Sequence, residues 1–250
     1  MRLLLALMAL FLLGGARDPI LVPEVSQHEI QVRQGFTGTE LLLFGAILNP
    51  EGTRAGRDYD IVVVLKGPTQ SIVLREKQKI AGMWINAASS EFRSAPSFYA
   101  LASSRPIREI VDDKTAAIYE LGLPWLQLSP IGSIDPKAQA RFAAGLVDLN
   151  ARGGLYQQDQ HGVKINEQVL YQARISLPSS VPTGAYTAET FAIAKGRVVT
   201  SAIARVEVRK LGFEGAIARF ADRNAFFYGL LAVAVSVGMG WLAGRLFALV

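Results

Sequence analysis

Two apolar runs bracket this chain, and between them hydrophobic positions recur mainly every second residue. The last twenty-six residues, Ala225 to Val250, carry one charge, Arg245, and Ala225 to Gly244 carry none. As a helix at about 1.5 Å per residue, that charge-free stretch reaches roughly 30 Å, the thickness of a bilayer's hydrocarbon core. A transmembrane helix is therefore expected over residues 225–250. At the other end, Leu3 to Leu13 is apolar behind Arg2 and ahead of Gly14, Gly15 and Ala16. Eleven helical residues span only about 16 Å, and the order of positive charge, apolar run and small residues is that of a secretory signal, with cleavage expected after Ala16. The pattern predicts an exported domain over residues 17–211, held to the outer face of a membrane by its C-terminal end.

Inside that domain, Glu29 to Gln34, Glu40 to Leu48 and Tyr59 to Lys66 read as strands, broken by Asn49-Pro50-Glu51-Gly52 and by Gly67-Pro68. The unbroken apolar runs Leu41 to Phe44 and Ile61 to Leu65 suit strands covered on both faces. A further strand is expected from Ser71 to about Lys79, and the weakly patterned tract Ser94 to Ser104 reads as loop. Two helices follow. One places Ile107, Ile110, Val111, Ile118 and Leu121 on one face, with Pro106 in its first turn and Gly122 at its end. The other starts at Pro136 behind an Asp135 cap, buries Phe142, Leu146 and Leu149, and stops at Gly153 and Gly154. Together they form a helical insertion at about residues 105–154 in a strand-rich chain.

Alternation then resumes cleanly, with Val169, Tyr171, Ala173, Ile175 and Leu177 on one face and Gln168, Gln172, Arg174 and Ser176 on the other. Pro178 ends that strand. Pro182-Thr183-Gly184-Ala185-Tyr186 resembles the turn at which an immunoglobulin-like sandwich ties a corner through a tyrosine hydroxyl. The next strand runs to Ala194, turns at Lys195-Gly196 and pairs with Arg197 to Arg209. Phe213, Ile217 and Phe220 give residues 212–224 one apolar helical face, so a juxtamembrane amphipathic helix is expected, meeting the membrane run at Asp222, Arg223 and Asn224. The expected fold is a mainly β, immunoglobulin-like sandwich with a two-helix insertion and one C-terminal transmembrane helix.

Composition narrows the function. The formal charge of +5 is spread along the chain rather than grouped, which gives no case for nucleic acid. There is no cysteine, so thiol catalysis, redox pairs and Cys-ligated zinc are excluded, and an exported domain without disulfides rests on its hydrophobic core. A helical anchor points to a bacterial inner membrane, with the domain periplasmic and the C-terminus cytoplasmic.

Several short stretches together resemble a family of alphaproteobacterial putative transmembrane proteins: Phe44-Gly45-Ala46, Val62-Val63-Val64-Leu65-Lys66-Gly67-Pro68, Arg75-Glu76-Lys77, Ala81-Gly82-Met83-Trp84-Ile85-Asn86 and Pro96-Ser97-Phe98-Tyr99-Ala100. The layout of signal, exported domain and a terminal helix opening with Phe227-Tyr228-Gly229 is similar too. Members look to be associated with permeases of the sulfite-exporter type, which implies an accessory role beside a transporter.

Catalytic chemistry finds little footing. His28 and His161 stand alone in polar settings outside any HExxH arrangement, so no metal or other cofactor is expected. Neither a G-x-S-x-G elbow nor an S-x-x-K pair occurs. The neighbouring carboxylates Asp112 with Asp113, and Asp58 with Asp60, read as solvated charge, leaving a carboxylate-dependent hydrolase as a remote alternative. Arg75, Lys77 and Lys79 fall on one face of a strand, with Lys66 on a neighbour, and offer an anion, a negative headgroup or an acidic partner a place to bind; edge-strand protection gives the same pattern. Trp84 and Asn86 join that candidate ligand site, although core packing is the default for the aromatic group of Trp84, Phe92, Phe98 and Tyr99. In the membrane run, Ala232, Ser236, Gly240 and Gly244 recur every four residues as a small-residue ridge suited to close helix packing. The resulting expectation is a non-catalytic membrane-anchored accessory protein whose partners are the lipid bilayer and another inner-membrane protein or a second copy. A periplasmic ligand-binding module is the alternative.

Overall fold

The Ile-Val-Val-Val-Leu centre of Asp60–Lys66 (β4) is fully buried, and its unbroken apolar run is explained by what lies on either side of it. The computed structural model describes residues 19–48, 59–132, 135–167, 169–210, 217 and 220–247. The expected signal 1–16, Asp58 and Phe213 lie outside them. β4 sits inside a six-stranded sheet with Glu29–Val32 (β2), Tyr99–Ser103 (β7), Tyr156–Asp159 (β9), Gly184–Ala194 (β12) and Arg197–Lys210 (β13), in the order β2-β13-β12-β4-β7-β9. Ile20–Val25 (β1), Gly38–Leu48 (β3), Val163–Asn166 (β10) and Leu170–Pro178 (β11) form a second, antiparallel sheet in the order β1-β3-β11-β10. A third, small sheet joins Thr69–Ile80 (β5), Met83–Pro96 (β6) and Ser129–Pro130 (β8).

The two larger sheets make the sandwich. Ile61, Val63 and Leu65 from one face of β4 share a core with Leu41, Leu43, Ile47, Tyr171, Ile175 and Leu177 of the second sheet. Val62 and Val64, from its other face, pack with Tyr99, Leu101, Phe191 and Ile193 against Ile107–Ile110 (α1) and Asp113–Tyr119 (α2). Because successive strand side chains point to opposite faces, a strand with a sheet on one side and helices on the other must be apolar at every position. The same reasoning explains a missed strand. Tyr99–Ser103 is wholly buried and lacks alternation, which made Ser94 to Ser104 read as loop; the tract is instead the end of β6 and all of β7. β3 departs from expectation in the other direction. Leu41 and Leu43 are buried but Phe44 is exposed, so this run is covered on one face only. β2 ends at Val32 rather than Gln34.

The expected first helix is broken in two. Asp112 leaves the helix to cap α2, accepting the Thr115 backbone N–H at 2.9 Å, and the break turns Ile118 out to 61% exposure while Ile107, Ile110 and Leu121 stay buried. Pro136–Arg152 (α3) starts behind Asp135 as expected, with the carboxylate accepting from Ala138 N at 3.2 Å. Its buried stripe is Phe142 and Leu146, packed on the β5–β6 hairpin; Leu149 lies beyond that contact and is 56% exposed. The Tyr186 hydroxyl donates to the Pro182 carbonyl at 2.7 Å, so the corner expected at Pro182 to Tyr186 is made. Ala225–Phe247 (α4) is the C-terminal helix, and Ala225–Arg245 is long and apolar enough to cross a membrane.

Candidate functional site

The β5–β6 hairpin extends beyond the domain's core. Its root is held by Phe92 and Ala95 against Phe142 and Leu146 of α3, but every residue from Lys77 to Ala87 is exposed. Ala81 (φ 49°) and Gly82 (φ 85°) close it in a two-residue turn with both central residues left-handed, the geometry whose twist matches paired strands. Asn-Gly or Asp-Gly signals such a turn and Ala-Gly does not, so the sequence shows the first strand, expected from Ser71 to about Lys79, but not the turn or the returning strand β6.

Register decides which side chains meet. Lys79 pairs with Trp84 and Lys77 with Asn86, so all four stand on one face, joined by Arg75 two residues further along β5. A bulge at Ala87, between the pairs Glu76–Ala88 and Lys77–Asn86, keeps Trp84 and Asn86 on that face. The fold thus brings together Arg75, Lys77, Lys79, Trp84 and Asn86. It does not add Lys66, whose ammonium is paired with the half-buried Glu120 carboxylate in the main sheet. Glu76 points to the opposite side and is held by Arg141 at 2.9 Å. The aromatic group is divided. Phe92, Phe98 and Tyr99 are fully buried, each in a different core, whereas Trp84 is 68% exposed, against the default of core packing. Ile80, Met83 and Ile85, not among the expected site residues, are exposed on the other face of the ribbon near its tip.

In α4 the ridge of Ala232, Ser236, Gly240 and Gly244 is open. A Cβ at Gly240 or Gly244 would meet nothing within 4 Å. The Ser236 hydroxyl donates to the Ala232 carbonyl at 2.8 Å, so its polar group is satisfied within the helix and the ridge is a packing surface. Ile217 and Phe220 line a groove with Tyr228, Ala232 and Ser236, and the Phe220 and Tyr228 rings are 6.5 Å apart.

Two of the four carboxylates, Asp60 and Asp112, have structural partners. Asp60 accepts from Ser104 Oγ at 3.1 Å and from Arg105 Nε at 2.8 Å, and Asp112 is held below the usual carboxylate range by the hydrogen bonds from Thr115 at its cap. His28 lies 3.1 Å from Glu24 at the surface, and His161 borders a shallow cleft with Lys164 and Arg174. Among the described residues, no three His, Asp or Glu side chains gather where they could hold a metal. Burial pushes the Tyr99 phenol far above its ordinary value; its hydroxyl donates to the Glu120 carbonyl at 2.6 Å and accepts from Gly122 N at 2.9 Å. Burial likewise pushes Tyr156 up to about 12, with its hydroxyl on the Pro96 carbonyl at 2.7 Å. The Tyr99 bonds tie the helical insertion to the sheet, and the Tyr156 bond ties β9 to the end of β6.

Comparison with known proteins adds one result. A family model described as Putative transmembrane protein (Alph_Pro_TM) matches residues 20–248. No curated protein matches the chain.

Proposed function

The chain belongs to this transmembrane protein family, and from that premise we propose that it is a non-catalytic accessory protein of the bacterial inner membrane. Its domain is periplasmic, its C-terminus cytoplasmic, and its helix packs against another membrane protein; a permease of the sulfite-exporter type is the partner the family resemblance implies. One observation carries this reading. The span Ala225–Arg245, with a mean hydropathy of 1.8, has none of its residues buried by the rest of the protein. Such a surface needs lipid or another helix around it, and its small-residue ridge suits close helix approach. A second observation supports a docking role for the domain: Ile20, Val22, Phe44, Leu48 and Leu170 are exposed on the outer face of the second sheet. The alternative, an anion-binding module, now rests on Arg75, Lys77 and Lys79, which stand on an exposed ribbon.

The Gly240→Ile variant tests the helix. It keeps the segment apolar, so insertion survives, while bulk on the ridge weakens association by about 1–2 kcal/mol, roughly tenfold in the association constant. Co-purification of a membrane partner from mild detergent, or self-association in a membrane two-hybrid assay, is expected to fall for Gly240→Ile and to hold for Val235→Ile and Val237→Ile. Equal signals from all three would sink the ridge as an interface. Topology is tested separately by a reporter active only in the cytoplasm, fused after Val250, which is expected to be active.

A further inference from the structure

We propose that the tip of the β5–β6 ribbon docks on an anionic phospholipid surface, with Ile80, Met83, Trp84 and Ile85 entering the interface and Arg75, Lys77 and Lys79 meeting the headgroups. The inference builds on the membrane anchor and is independent of which protein the anchor helix contacts. Four large apolar side chains exposed around a two-residue turn do nothing for the core, and tryptophan is the side chain most at home where hydrocarbon meets headgroups. Trp84 shares its face with the cations while Ile80, Met83 and Ile85 stand on the other, so the ribbon enters tip-first with the basic row along one side. Lys79 stands opposite Trp84 and Lys77 opposite Asn86, whereas Glu76 is turned away and neutralised by Arg141. An apolar tip flanked by a basic row, with the nearest acid of that face, Glu91, set back from the tip opposite Val73, is complementary to a negatively charged bilayer surface, where each cation strengthens attachment on the order of fivefold.

Topology sets the ribbon on the appropriate end of the domain. β4 runs to Lys66, which pairs with Thr187 of β12 and with Tyr99 of β7, and the chain leaves there through Gly67 and Pro68 into β5. At that same end, Gly184 lies against Pro68 and pairs with Val208, two residues before β13 finishes at Lys210 on its way to the membrane helix. The ribbon and the route to the anchor thus leave the six-stranded sheet together. β5, with twelve residues, is about 40 Å long, so the ribbon reaches well beyond the end of the sheet from which the chain runs on to the anchor. Edge protection accounts for lysines on a solvent-facing strand, but not for an exposed tryptophan, methionine and two isoleucines at its tip.

Because the chain contains no cysteine, Met83→Cys provides a sole site for a spin label on the full-length protein. The protein is reconstituted in vesicles of phosphatidylcholine mixed with phosphatidylglycerol, and in phosphatidylcholine alone. Accessibility of the label to oxygen and to a water-soluble nickel complex is then measured. At position 83 the label is expected to favour oxygen, as in lipid, in the mixed vesicles and to favour nickel in phosphatidylcholine alone. Changing Arg75, Lys77 and Lys79 to Gln together is expected to return it to water in the mixed vesicles. Labels at Arg197→Cys, at the far end of the six-stranded sheet, and Val237→Cys, in the anchor, are expected to report water and lipid respectively in both compositions. An aqueous label at position 83 in the mixed vesicles overturns the proposal, and so does equal immersion in both lipids or immersion that survives loss of all three cations.

Discussion

Gly45→Ala is expected to lower the thermal midpoint of the domain by roughly 10 °C, which corresponds to about 3 kcal/mol for a domain of this size. Gly45 lies in the middle of β3, flanked by Pro23 of β1 and Tyr171 of β11. A Cβ there would fall 2.3 Å from the Val22 carbonyl oxygen and 2.5 Å from the Tyr171 hydroxyl. The first obstacle is backbone, and the second is a buried phenol that spans the sandwich, with its oxygen 3.4 Å from Thr190 Oγ1 of the opposing sheet. Neither can move as a flexible side chain would, so the extra methyl must separate β1 from β3 or evict Tyr171 from the core. Gly145→Ala supplies the contrast. Gly145 lies inside α3, its added Cβ would meet only Leu74 Cδ2 at an ordinary 3.7 Å, and the helix gains about 0.5–1 kcal/mol from losing a glycine. Circular dichroism melts of the full-length protein in mild detergent check both signs. A Gly45→Ala midpoint within a degree or two of the parent would show that the sandwich yields at this crossing.

The contrast between these two glycines reflects what a sequence can and cannot show. The strands β11, β12 and β13 were legible because β11 buries one face and Pro178, the Pro182 to Tyr186 corner and Lys195-Gly196 punctuate the chain where it turns. Periodicity fails where burial is two-sided, which hid β7, and where a capping side chain breaks a continuous apolar stripe, as Asp112 does between Ile110 and Ile118. In the candidate site, the basic row was readable from the two-residue spacing of Arg75, Lys77 and Lys79. That Trp84 stands beside them was not, because cross-strand neighbours are set by the turn at Ala81 and Gly82 and by the bulge at Ala87. The apolar tip became visible only with the pairing. Ile80, Met83 and Ile85 look like core residues until the ribbon is seen to leave the core behind.

The hold of the ribbon on the domain rests on a small number of side chains, and Phe92→Ala is expected to release it without dissolving the sandwich. The cluster joining the ribbon root to α3 has four fully buried members, Phe92, Ala95, Phe142 and Leu146, with Ile72, Leu74, Ala88, Leu128 and Ala143 partly buried around them. Removing a buried phenyl ring costs about 3–5 kcal/mol where the surroundings cannot collapse. In this cluster the loss falls on a unit separate from the main core, so the cheaper response is local opening, with α3 and the hairpin parting while β4 and β12 stay paired. Amide hydrogen exchange is expected to quicken by about 100-fold or more in the hairpin root and α3, and to change little in β4 and β12. A uniform loss of protection across both sheets would show instead that the third cluster is energetically continuous with the sandwich. Local opening also bears on the membrane-facing role of the ribbon. α3 and the Arg141–Glu76 pair set the direction in which the hairpin projects, so Phe92→Ala is expected to reduce immersion of a label at position 83 even though every cation and every apolar residue of the tip remains in place.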